Sequence, residues 1–120
     1  MKVIKTNQVP KKELVHQLFN GPVTYQGLVT RGMSKDFNII VIGFGKGIRN
    51  KFHTHTNDQE LIVTSGKGIV ATEAEQQVVE VGDVIHIPAG EKHWHGATKD
   101  SDFSHIAIEP VDTKFTQLED

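Results

Sequence analysis

Seven histidines occur in 120 residues, and six of them fall between positions 53 and 105. His53 and His55 lie two apart in KFHTHT, and His93 and His95 repeat that spacing in EKHWHG. In an extended chain successive side chains point to opposite faces, so each pair projects to one side and its imidazoles can converge on one ion. Downstream of His55 stand Gln59 and Glu60. Position 59 shares the face of His53 and His55 if the intervening turn keeps parity, whereas position 60 faces away. Gln59 is therefore the expected oxygen donor and Glu60 the alternative. The chain has no cysteine, so thiolate ligands and disulfides are excluded. Imidazole nitrogen and amide oxygen suit a first-row divalent ion such as Mn, Fe, Ni, Co or Zn. Such donors are uncharged, so a bound ion would keep its full charge and act strongly on oxygen ligands. The competing reading makes these residues hydrogen-bonded core or surface histidines.

A second stretch, GDVIHIPAGEKHWH from Gly82 to His95, changes the balance. Together with GIRNKFHTHTNDQELIVTSG from Gly47 to Gly66, it resembles the paired motifs of the cupin family, G-x5-H-x-H-x3,4-E-x6-G and G-x5-P-x-G-x2-H-x3-N. Gly47, His53, His55 and Gly66 fall in place in the first, and Gly82, Pro88, Gly90 and His93 in the second. Two positions depart: Gln59 stands where the first pattern has Glu, and Ala97 where the second has Asn. The strings GEKHWHGAT, SHIAI and FNGPV narrow the likeness to small bacterial cupins that include manganese-dependent hydroxynitrile lyases and relatives of carboxymuconolactone-decarboxylase-like proteins. The resemblance implies a jelly-roll β-barrel and a divalent metal, manganese first, held by His53, His55, Gln59 and His93. It also implies proton transfer by His105 and a place in the pocket for His95.

The elements that must position these residues read as short strands. VTYQGLVT from Val23 and FNIIVIGF from Phe37 are β-branched and aromatic, bounded by turn residues. Further strands are expected through LIVTSGKGIVATEAEQQVVEVGDVIHIP, separated by turns at Ser65-Gly66-Lys67-Gly68 and Val81-Gly82-Asp83. His93 to Thr98 and Phe103 to Glu109 supply two more. In FSHIAIE, alternation sets His105 with Phe103 and Ala107 on one face and Ile106 with Ile108 on the other. Short, regularly spaced strands argue for an all-β sandwich or barrel. One short helical turn is expected in KKELVHQLFN, where Leu14, Val15, Leu18 and Phe19 recur at helical spacing; His16 on it reads as a surface histidine. Gly43, Gly45 and Gly47 read as turn glycines, since no helix or Lys-Ser/Thr pair follows to make a phosphate loop. After Pro110 a tail or a final edge strand is expected, anchored by Phe115.

Length bounds the chain to one domain over residues 1–120, with the barrel at about 23–110. A formal charge of −2 gives no basic patch for nucleic acid. The start of the chain lacks the apolar run of a signal peptide, and the longest apolar run, Ile39 to Ile42, is far short of a membrane span, so a cytoplasmic location is expected. Trp94 should point away from the metal face and pack, as at a contact in a homodimer. His86, between two isoleucines, reads as a structural histidine. Ser104 and His105 face opposite ways and cannot form a nucleophile pair.

The expected function is a metal-dependent enzyme of lyase type acting on a small hydroxy or carbonyl compound, with His105, or His95, moving the proton. Two alternatives share every ligand: a module that binds a metal-coordinated small ligand without turnover, and an iron-dependent dioxygenase.

Overall fold

Strands occupy half of the chain and are spread from Lys12 to Gln117. The computed structural model describes residues 1–120. Its strands are β1 (Lys12–Leu14), β2 (Val23–Val29), β3 (Phe37–Phe44), β4 (His53–His55), β5 (Gln59–Thr72), β6 (Gln76–Glu80), β7 (Val84–Ile87), β8 (His93–Ala97), β9 (Phe103–Pro110) and β10 (Phe115–Gln117). The sole helical element is a 3₁₀ turn at Thr6–Gln8. No helix is long and apolar enough to cross a membrane.

All pairings are antiparallel, and β5 belongs to two sheets. Its first half lies between β7 and β9, in a sheet that continues through β3 and β2 to β1. Its second half lies between β6 and β8, in a sheet that continues through β4 to β10. The two sheets fold over each other as the expected jelly-roll barrel. Phe44 and Phe103 from one sheet and Val79 and Ala97 from the other meet in one apolar cluster, with Phe44 and Phe103 stacked at 5.8 Å.

The sequence expectation broke β5 at Ser65-Gly66-Lys67-Gly68, but the strand runs through it for 14 residues. A register shift between Val63 and Ser65 bends it, and the ladder resumes in the second sheet. A bulge of this kind changes strand direction without ending it. Gly66 sits at the corner with φ +70°, and a Cβ there would lie 1.7 Å from the Asp102 carbonyl oxygen. Only glycine fits that position.

The helical turn expected in KKELVHQLFN is not formed. Lys12–Leu14 is a strand paired with Val23–Tyr25, because the edge of β2 offers free backbone groups. Beyond it, His16 Nδ1 accepts the Leu18 N–H at 3.0 Å. A local side-chain bond of this kind competes with helix formation. The residues after Pro110 include a true edge strand: Phe115, Thr116 and Gln117 pair with His55, Thr54 and His53.

Candidate metal centre and cavity

The three-residue β4 carries two of the histidines, held on one side by β10 and on the other by a single register pair, His53 with His93 of β8. Pleating turns His53, His55 and His93 into the barrel. Ring centroids are 4.3 Å apart for His53–His93, 4.8 Å for His53–His55 and 5.2 Å for His55–His93. Each ring can present one nitrogen, and these atoms all lie within 4.8 Å of one another. His53 Nδ1 bonds the Lys51 carbonyl at 2.6 Å and His93 Nδ1 bonds the Glu91 carbonyl at 2.8 Å. Those bonds place a hydrogen on Nδ1 and leave the Nε2 lone pair free, the arrangement that metal-ligating imidazoles use. His93 Nε2 is buried without a partner, and so are His55 Nδ1 and Gln59 Oε1. Buried polar atoms without partners are costly, so orphaned atoms on the histidine cluster, and on Gln59 in the cavity that His53 and His55 also line, fit a cation that would satisfy them.

Gln59 is buried at the start of β5 and lines the same cavity as His53 and His55. Its neighbour Glu60 turns outward and bonds His86 Nδ1 at 2.5 Å. His86 is exposed on the outer surface, where Glu60, followed by Asp58 and Glu91, raises its pKa.

Beside the cluster lies a second pair. His105 Nε2 is 3.0 Å from His95 Nδ1, and both rings are buried. His95 sits between the groups, 5.9 Å from His53 and 4.8 Å from His105 by ring centroids. Its strand is fixed by Asn50: the Asn50 Oδ1 accepts the His95 N–H at 2.8 Å, and the Asn50 N–H donates to the His95 carbonyl at 3.0 Å. Ser104 points outward to Thr64 and Ser65, away from His105.

Burial holds all these imidazoles neutral. It brings His53 down to about 3, with repulsion from His93 next in weight and the Lys51 hydrogen bond opposing. His55 falls to about 4 by burial and then His93, and His105 to about 4 by burial. His95 is pushed well below the ordinary range, by burial first and then by His105, and His93 is lowered by burial.

His53, His55, His95 and His105 open onto a cavity of about 240 Å³. Tyr25, Ile40, Ile42 and Phe44 form its apolar wall, and Leu14, His16, Phe19 and Phe115 its remaining side. Sequence reading did not single out Asn50, the N-terminal lining or Glu109. For Glu109 a signal existed: it continues the alternation of Phe103, His105 and Ala107 on β9. Trp94 points away from the metal face as expected, but it is buried and covered by the Arg49 guanidinium at 4.3 Å. It therefore offers no outward aromatic surface for a second copy.

The Cupin_2 family model, a cupin domain, matches residues 41–109, more than half of the sequence. The chain belongs to the cupin family. This cupin is 41% identical to the (R)-mandelonitrile lyase of Granulicella tundricola over 69 residues, which cover 57% of the chain and 53% of that protein. It is 36% identical to the acireductone dioxygenase of Parasynechococcus marenigrum over 56 residues, covering 41% of the chain and 30% of that protein. The matches thus span about half of the first relative's length and under a third of the second's. A cupin-like protein from Thermotoga maritima superposes with a TM-score of 0.82 at 28% identity, covering 99% of this chain and 90% of its own. The polyketide cyclase RemF of Streptomyces resistomycificus superposes with a TM-score of 0.88 at 16% identity, covering 98% and 85%, and shares the fold.

Proposed function

We propose that this cupin is a metal-dependent lyase of small hydroxy compounds, breaking and forming the C–CN bond of cyanohydrins in the manner of a hydroxynitrile lyase. The observation that carries this reading is the hydrogen-bonded His95–His105 pair, neutral and buried beside the three-histidine cluster in an apolar cavity. Similarity to a mandelonitrile lyase supports it. His53, His55, His93 and Gln59 would hold the ion. A divalent first-row metal, manganese in this reading, supplies Lewis acidity toward a substrate oxygen when bound.

The chain's own residues do the rest. Two neutral imidazoles carry two N–H groups and two lone pairs, and the mutual hydrogen bond uses one of each. One lone pair and one N–H remain, on His95 Nε2, which the Asn50 Nδ2 amide approaches to 3.2 Å, and on His105 Nδ1, which is buried without a partner. The lone pair takes the hydroxyl proton; the O–H electrons become the carbonyl π bond while the C–CN bond breaks, and cyanide leaves with its electron pair and is then protonated. Tyr25, Ile42 and Phe44 line an apolar wall that suits an aromatic or alkyl body and keeps water from the proton path.

Manganese-loaded protein should release aldehyde from aromatic cyanohydrins, and metal-free protein should not. His105→Ala should keep its metal content and lose about 10²- to 10⁴-fold in kcat, the usual contribution of general acid-base catalysis. Absence of turnover over a broad cyanohydrin panel would overturn the reading in favour of a binding module. The likeness to an acireductone dioxygenase favours one second reading, oxygen chemistry with iron, which oxygen uptake by iron-loaded protein would reveal.

A further inference from the structure

Glu109 is the one carboxylate on the wall of the central cavity. Its Oε2 accepts a hydrogen bond from Gln59 Nε2 at 3.3 Å, the single bond made by that side chain, while Gln59 Oε1 is buried with no partner. A primary amide has two unlike ends, an amino group that only donates and a carbonyl oxygen that only accepts. Set the other way round, Gln59 would press its carbonyl oxygen against the carboxylate. It would then turn two N–H donors toward the histidine lone pairs, where no cation could use them.

We propose that Glu109 is a positioning residue that fixes the orientation of the Gln59 amide, so that the carbonyl oxygen is presented to the metal, and lends that oxygen negative charge from one step further out. The proposal rests on the reading of His53, His55, Gln59 and His93 as the metal set. A hydrogen bond from an amide to an ionised acceptor polarises the amide and makes its oxygen a better donor to a cation. Groups that orient and polarise a ligand in this way contribute substantially to metal affinity. The sequence departure at position 59 then has a physical counterpart. Where the family pattern places a glutamate in the ligand itself, this chain places a neutral amide there and moves the carboxylate to β9, facing it.

The test is Mn²⁺ affinity, measured by competition with a chelator, for the full-length protein and four variants, with circular dichroism of each metal-free variant as the fold control. Glu109→Met should weaken binding about 10- to 100-fold, the usual cost of losing such a support. Glu109→Gln retains a carbonyl that can accept the same bond and should recover the share of the affinity that orientation supplies, but not the share that the carboxylate charge supplies. Gln59→Ala should weaken binding, and Glu109→Met added to it should cost nothing more, because Glu109 acts through Gln59. Wild-type affinity in Glu109→Met, or an equal loss in the Gln59→Ala background, would overturn the proposal while leaving the metal site standing. No Mn²⁺ affinity in the wild type would overturn the metal reading itself. In the metal-free protein the Gln59 side-chain amide should show a hydrogen-bonded proton shift that is lost in Glu109→Met and kept in Glu109→Gln. An amide resonance that does not respond to Glu109→Met would remove the contact on which the proposal is built.

Discussion

Gln59 and Glu60 have side chains of nearly the same shape and lie side by side, yet the pleat of β5 turns one into the cavity and the other out to His86. Glu60→Gln should therefore leave metal content unchanged, measured by elemental analysis after purification; a loss would transfer the ligand role to Glu60. The five inward imidazoles carry a shared consequence for pH. Each has a folded pKa below 6.5, reaching about 3 for His53 and about 4 for His55 and His105. Between those values and 6.5 the unfolded chain binds more protons than the folded one, so stability rises with pH through that window and is lost on acidification. Denaturant midpoints of the metal-free protein should fall steadily from pH 7 to pH 4.5, and a flat profile would contradict the burial of these rings. Protonated imidazole does not coordinate, so metal retention should hold through pH 6, where the folded rings are neutral, and fail as the pH falls towards about 4. The histidine positions were legible in the sequence because parity and the paired motifs both mark them. Asn50 was not, since its role depends on facing His95, 45 residues away in the chain.

At the scale of elements, β2, β3, β8 and β9 could be read because each is a short run bounded by turn signals. β1 could not, because its apolar residues are spaced like a helix and only the edge of β2 makes it a strand. The long run of β5 was hidden for another reason: Gly66 and Gly68 look like a turn, while here Gly66 forms a corner between two sheets. Gly66→Ala should cost at least about 1–3 kcal/mol from backbone strain alone, read as a lowered melting temperature. Wild-type stability in that variant would mean the corner can relax. β10 gives a second test. It pairs with β4 at three positions, and just beyond it Glu119 accepts from the Phe52 N–H at 2.7 Å and pairs with Arg49. Deleting residues 115–120 would leave β4 joined to β8 at a single register pair. Backbone amides of His53–His55 should then exchange faster and bound metal should dissociate sooner, measured by hydrogen exchange and chelator chase. Unaltered exchange would show that β4 is held by its other neighbours.

For the molecule as a whole, the two sheets are closed by partners distant in sequence: β3 pairs along its entire length with β9, and β5 pairs with β8 and β9. Such non-local pairing makes folding slow. It also sets an order of events during synthesis. When Asp102 has been added, the inner faces of β2, β3 and β5 exist but the strand that joins β3 to β5 does not. Phe44, Val63 and Ile42 then have no lasting cover until Phe103–Pro110 has emerged from the ribosome. A nascent chain of this kind stays sticky until β9 is complete, and chaperone attendance would matter most up to that point.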